Sequence, residues 1–100
     1  FIIANGGSAS TASHFANDLA IGTKADEKPF RAISLTDNVA ILTAIGNDLG
    51  YVEIFVTQLR VLAKQGDILL GISASGNSPN LLKAFKYAKA KGKDSCSHSL

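Results

Sequence analysis

A single cysteine, Cys96, among 100 residues leaves no partner for an internal disulfide and excludes a cysteine-rich zinc module. No apolar run approaches the roughly 20 residues of a membrane-spanning helix. No charged leader precedes an apolar stretch, so no secretory signal is read and a cytoplasmic protein is expected. Charge of one sign is also scarce. Ten Lys and Arg stand against eight Asp and Glu, a formal net charge of +2, and no direct nucleic-acid footprint is expected from that balance. Methionine is absent altogether. The chain opens straight onto Phe1-Ile2-Ile3-Ala4, which reads as a buried strand with nothing before it, so a piece of a longer domain is expected. What is present is a core: 46% of residues are apolar and 18% charged, a composition that folds.

The apolar pattern alternates between short runs and helical spacing. Phe1 to Ala4 is a continuous run stopped by Asn5-Gly6-Gly7, as a buried parallel strand would be. Ala12, Phe15, Ala16, Leu19 and Ala20 recur at three and four, predicting a helix over 10–21 that Ser8, Ser10 or Thr11 caps and Gly22 ends. A polar loop follows over 23–29. Phe30 to Leu35 predicts a second strand, turned by Thr36-Asp37-Asn38. Val39 to Ile45 predicts a short helix, Gly46 to Gly50 a loop, and Tyr51 to Lys64 another helix. Ile68 to Ile72 is the clearest strand. Pro79 suits the first turn of a helix running to about Lys91, whose lysines form a solvated face. Strands alternating with helices predict an α/β fold with a parallel sheet covered on both faces. Residues 93–100 break the alternation, because another apolar strand is due there, and are expected to be an off-pattern tail.

Ligands of open parallel sheets bind outside the carboxyl ends of the strands. Two polar loops fall at that edge, each between a strand and a helix: Asn5-Gly6-Gly7-Ser8 and Ser73-Ala74-Ser75-Gly76-Asn77-Ser78. Glycines let the backbone approach an anion, and hydroxyls with helix N-terminal amides donate to its oxygens. Neither loop holds Lys or Arg, which excludes a P-loop, and neither fits the dinucleotide fingerprint. The competing reading is two ordinary turns. His14 and Asp18 lie four apart on one helix face. The pair suits two zinc ligands or a base with its orienter, and equally a solvated ion pair. Asn47-Asp48, between glycines, reads as a helix cap ahead of a substrate contact.

These motifs together resemble the sugar isomerase (SIS) domain, and within it the phosphoheptose isomerases. The resemblance rests on Asn5-Gly6-Gly7-Ser8, His14-Phe15-Ala16-x-Asp18-Leu19, Gly46-Asn47-Asp48 and Gly66 to Ser78, in family order and spacing, over residues 1–92. It implies a three-layer, flavodoxin-like sandwich, incomplete here at both ends. It implies a homotetramer with sites between subunits, and conversion of sedoheptulose 7-phosphate to D-glycero-D-manno-heptose 7-phosphate in heptose biosynthesis for lipopolysaccharide and related glycans. Position by position, it places the phosphate against Ser73, Ala74, Ser75 and Ser78. It places the sugar chain against Asn5, Gly6, Gly7 and Ser8, with Asn47 and Asp48 as substrate contacts. His14 and Asp18 fall where the family holds zinc, Asp18 also serving catalysis.

Three departures from the family pattern bear on activity. Asp18 replaces a Glu, and Ala74 replaces a Thr or Ser. A later Gln and His of the family lie outside these residues, so the 100-residue chain alone is expected to be inactive. The alternative implied by the resemblance is a non-catalytic SIS protein that binds sugar phosphates or a replication initiator, or an inactive truncated product.

Overall fold

The computed structural model describes residues 1–22, 29–91 and 94–99; the expected polar loop over 23–29, apart from Pro29, and positions 92, 93 and 100 lie outside them. Strand β1 (Ile2–Ala4) leads directly into helix α1 (Gly6–Asn17), which continues as a π-helical turn, Asp18–Gly22. Helix α2 spans Val39–Asp48, a 3-10 turn Tyr51–Glu53 and helix α3 Ile54–Leu62. Strand β2 (Ile68–Ser73), helix α4 (Pro79–Ala90) and strand β3 (Asp94–Ser99) complete the order.

The sheet is parallel throughout, in the order β1-β2-β3. Ile2 pairs with Leu70 and Ala4 with Ile72, while Ile68 pairs with Asp94 and Ser73 with Ser99. Side chains alternate across a strand, and the two faces of this sheet carry two cores. Ile3 and Leu69 join Leu35, Ile54, Phe55, Leu59, Leu81, Ala84 and Ala88 on the α3/α4 side. Ile2, Ala4 and Ile72 meet Ala12 and Ala16 on the α1 side. Helix, sheet, helix is the expected three-layer arrangement. Burying a side chain the size of Phe55, 1% exposed, contributes about 1.5–3 kcal/mol. On the α1 side the helix contributes only alanines, so it lies close to the strands.

Several boundaries differ from the sequence reading. Phe30 to Leu35 does not form a strand of its own. It lies beside β1 through one parallel bridge, Ser34 to Ile2, with Ile2 N donating to Ile33 O and Leu35 N to Ile2 O, both at 2.9 Å. The Ser34 hydroxyl explains the early end. It meets Thr36 Oγ1 at 2.7 Å and accepts from Thr36 N at 3.4 Å, a local turn that competes with the ladder. Helix α1 begins at Gly6, so Ser8, Ser10 and Thr11 lie within it and do not cap it. Gly46, Asn47 and Asp48 form the last turn of α2 instead of a loop, because the helical ladder runs on to Leu49 N, which donates to Ile45 O at 2.8 Å; Asn38 Oδ1 caps the other end by accepting from Ile41 N at 3.0 Å. The expected Tyr51–Lys64 helix is split. It ends at Leu62 because Ala63 is extended and Lys64 N turns to Asp67 Oδ2 at 2.7 Å. Residues 94–99, expected to fall outside the pattern, run as strand β3 along the free edge of β2. A parallel ladder is made by backbone groups, so an edge can recruit a segment that its side-chain pattern does not announce.

Candidate functional site

Both candidate loops emerge at the carboxyl end of adjacent strands, β1 and β2, where parallel α/β sheets bind ligands. Asn5 is the N-cap of α1 in extended conformation. Gly6 follows at φ +54°, in the left-handed region that glycine enters without a Cβ penalty. This kink starts the helix one residue after the strand ends, and turns its first amides, which lack intrahelical acceptors, toward the loop.

The second loop is held by its own serines. Ser73 Oγ accepts from Gly76 N at 3.0 Å, and Ser75 Oγ accepts from Asn77 N at 3.2 Å. The two hydroxyls lie 3.4 Å apart. With backbone N–H groups donating into both oxygens and one hydroxyl donating to the other, the pair keeps one O–H for donation outward. Gly76, at φ +72°, lets the loop close. Ser78 is the N-cap of α4 and makes no side-chain cap bond, so its hydroxyl is not tied to the helix end.

Between the loops lies a cleft of about 530 Å³ lined by Asn5, Gly7, Ser8, Thr11, Ile72, Ser73, Ala74, Ser75 and Ser78. Every polar lining group is neutral. An anion there would be held by hydroxyls and helix-terminal amides, with no carboxylate in the lining to oppose it. Ala74 contributes a wall and no donor.

His14 and Asp18 lie one to two turns farther along α1, with His14 Nε2 3.6 Å from Asp18 Oδ2. Their side chains are 79% and 57% exposed. They line a second cleft of about 550 Å³ with Ser10, Thr11 and Phe15. Thr11 lines both clefts, so the two loops and the His–Asp pair share one wall, the stripe of Ser8, Thr11 and His14 on α1 and Asp18 just beyond it. The π-helical turn begins at Asp18. The nitrogen and oxygen, 3.6 Å apart, stand slightly wider than two corners of a zinc tetrahedron, about 3.3–3.5 Å. Among the described residues no third His, Cys, Asp or Glu joins them, so the pair by itself does not make up a four-ligand centre.

Asn47 and Asp48 stand apart from both clefts. They are exposed at the end of α2, where Asn47 Nδ2 donates to Asp48 Oδ1 at 3.0 Å. They cap nothing: the N-caps that follow are Gly50 and Glu53. Their segment reaches the cleft through Tyr51, whose hydroxyl donates to Asn5 Oδ1 at 3.0 Å. Asn5 also exchanges two amide bonds with Asn80 of α4, each 2.9 Å.

Thr11, Tyr51 and Asn80 were not expected at the site. Thr11 was legible as a site residue, lying three residues from both Ser8 and His14 on one helical stripe. Tyr51 and Asn80 carry no such signal, because they act through tertiary contacts with Asn5.

Comparison with known proteins identifies the family of the chain. The chain is 49% identical over 88 residues to the phosphoheptose isomerase of Burkholderia pseudomallei strain K96243, an alignment covering 88% of this chain and 45% of that protein. It is 50% identical over 91 residues to that of Helicobacter pylori strain HPAG1, covering 91% and 47%. The phosphoheptose isomerase structure from Francisella tularensis superposes with a TM-score of 0.87 at 36% identity, over 98% of this chain and 50% of that one. The chain thus spans about half the length of the relatives it matches. The family model described as the SIS domain matches residues 1–94, and the chain belongs to the SIS domain family.

Proposed function

We propose that the protein carrying this chain is a phosphoheptose isomerase, interconverting sedoheptulose 7-phosphate and D-glycero-D-manno-heptose 7-phosphate. The observation that carries the reading is the cation-free cleft of Asn5, Ser8, Ser73, Ser75 and Ser78, which shares Thr11 with the cleft of His14 and Asp18. The names of the relatives supply the substrate class.

In this reading the phosphate sits against Ser73, Ser75 and Ser78, and the first amides of α1 meet the sugar end. Anchoring the phosphate supplies binding energy remote from the reacting carbons and fixes their position. Aldose–ketose interconversion moves one proton between neighbouring carbons through an enediol. The Asp18 carboxylate takes the proton from one carbon and returns it to the next, while His14 moves the proton of the adjacent oxygen. Asn47 and Asp48 serve as substrate contacts only if the loop after α2 is brought nearer than it stands here. Zinc is proposed as a partner of His14 and Asp18, with its remaining ligands supplied from outside the described residues. When bound it would polarise the sugar carbonyl. A homotetramer and a role in lipopolysaccharide heptose synthesis belong to the same proposal.

Both acid–base side chains are largely exposed, and proton transfer of this kind is favoured by a dry site. The 100 residues alone are therefore proposed to bind the phosphosugar without turning it over. The test is an isomerase assay on the protein containing this chain, with and without a chelator, beside zinc binding measured directly. Turnover of sedoheptulose 7-phosphate that is lost in His14→Ala supports the reading. Binding of the sugar phosphate without turnover favours the non-catalytic alternative, and absence of both refutes the phosphosugar assignment.

A further inference from the structure

Asn80 is 2% exposed in the first turn of α4, and its neighbours determine which way its amide faces. Leu81 N lies 2.9 Å from one amide atom. A backbone N–H only donates, so that atom is the oxygen, Oδ1. The Asn5 amide atom that meets the same oxygen at 2.9 Å must be the nitrogen. Asn5 is therefore fixed in turn. Its Oδ1 faces Asn80 Nδ2 at 2.9 Å and the Tyr51 hydroxyl at 3.0 Å. Two donors occupy both lone pairs of that oxygen, and Asn5 Nδ2 keeps one hydrogen. Asn5 lines the cleft between the two loops, so the only polar group its side chain has left to offer is an N–H.

We propose that Asn80, assisted by Tyr51, is a positioning residue of this cleft. It locks Asn5 as a hydrogen-bond donor toward an oxygen of the sugar, and it ties the β1–α1 loop to the start of α4. The inference rests on the phosphosugar reading above. It explains why an asparagine at the N-cap of α1 makes no cap bond: its side chain is committed across the sheet edge. It also makes the two loops one rigid unit, since α4 begins directly after the serine loop.

The test uses the protein containing this chain, with two variants. Asn80→Asp keeps an oxygen for Leu81 N and for Asn5 Nδ2, but sets a second oxygen against Asn5 Oδ1, which unseats Asn5. Tyr51→Phe removes one donor from the same oxygen and leaves the Asn80 pair intact. Dissociation constants for sedoheptulose 7-phosphate and for inorganic phosphate are measured by calorimetry, with melting temperatures alongside. Loss of one ligand hydrogen bond weakens binding by about tenfold. In Asn80→Asp the sugar phosphate is expected to weaken by about that factor while inorganic phosphate changes by less than about twofold. Tyr51→Phe is expected to shift the same ratio in the same direction by a smaller factor. Parallel weakening of both ligands, or an unchanged ratio in both variants, overturns the proposal in favour of a purely structural role. If Asn80→Asp does not fold, the ratio in Tyr51→Phe decides alone. Wild-type protein that binds inorganic phosphate but not sedoheptulose 7-phosphate overturns the underlying reading, and the inference with it.

Discussion

Gly71 lies in the middle of β2, paired with Ile3 of β1 and Ser97 of β3. A Cβ at this position would lie 2.7 Å from both Cε2 and Cζ of Phe85, and 3.5 Å from Leu81 Cδ2. Carbon atoms settle at about 3.5–4.0 Å, so the Phe85 ring has to retreat by roughly 1 Å. The backbone itself does not resist, since position 71 is not in the left-handed region. Gly71→Ala therefore isolates a steric effect. Alanine in a strand gains about 0.5–1 kcal/mol over glycine, and overpacking a fitted contact costs about 1–3 kcal/mol. The net expectation is a loss of about 1–2 kcal/mol. In a domain of this size that lowers Tm by on the order of 4–8 °C per kcal/mol. Thermal and urea unfolding of Gly71→Ala, Phe85→Leu and the double variant measure it. The double variant should recover part of the loss, because the shorter side chain vacates the collision. A Gly71→Ala protein as stable as the parent or more so, with no coupling to Phe85→Leu, would refute the close approach of β2 and α4. The same substitution bears on the site, since α4 carries Ser78 and Asn80 at its start: ligand affinity should fall with stability in Gly71→Ala and recover in the double variant.

Ser75→Ala deletes the acceptor of Asn77 N and one hydroxyl of the Ser73–Ser75 pair, so KM for the phosphosugar should rise about tenfold with little change in Tm; equal KM values would remove Ser75 from the phosphate contacts. His14→Ala should lower kcat by about 10²–10⁴. Because His14 is exposed, its melting temperature should match the parent, and a melting shift with unchanged kcat contradicts the assigned role. Glu53 accepts from Lys83 Nζ and lies 3.6 Å from Arg60 Nη1. The hydrogen bond from Lys83 is the main cause that holds its carboxyl below the usual Glu range, and Arg60 adds to it. The unfolded chain then takes up a proton more readily than the folded one. Stability from this group is present above the ordinary Glu value of about 4.3 and is lost as pH falls through the lower folded-state value. Urea midpoints from about pH 6 to about pH 3 should fall less steeply in Glu53→Gln than in the parent; identical slopes contradict the assignment.

The layer order was legible because it follows from burial. Ile3 and Leu69 face one core while Ile2 and Ile72 face the other, and such two-sided strands read as continuous apolar runs in sequence. Helix ends were less legible because local hydrogen bonds decide them. Asn38 Oδ1 starts α2, and Asp67 Oδ2 draws Lys64 N away from α3. Neither choice leaves a mark on apolar spacing. Strand β3 was missed for a related reason, since its pairing uses backbone groups that every residue carries.

The site divides along the same line. Ser73, Ser75 and Ser78 line one cleft, and their grouping is legible because the loop is local: hydroxyls two or three residues apart, between a strand and a helix. His14 and Asp18 lie side by side, and that pairing is legible because a helix repeats every three to four residues. Asn47 and Asp48 show the opposite case. A polar pair between glycines reads as a cap or a substrate contact; the cap reading fails, since α2 runs through the pair and the next two N-caps use no side chain. Asn5 was read as a direct ligand contact, but the fold has already committed its carbonyl oxygen to Asn80 and Tyr51, 75 and 46 residues away in sequence. A buried amide cannot be left unpaired without costing about 1–3 kcal/mol. Asn80 therefore needs Asn5 for stability, and the ligand-facing geometry of Asn5 follows from that need. Stability and recognition at this cleft are coupled through one pair of amides. A change at Asn80 should be felt by the ligand even though Asn80 does not line the cleft.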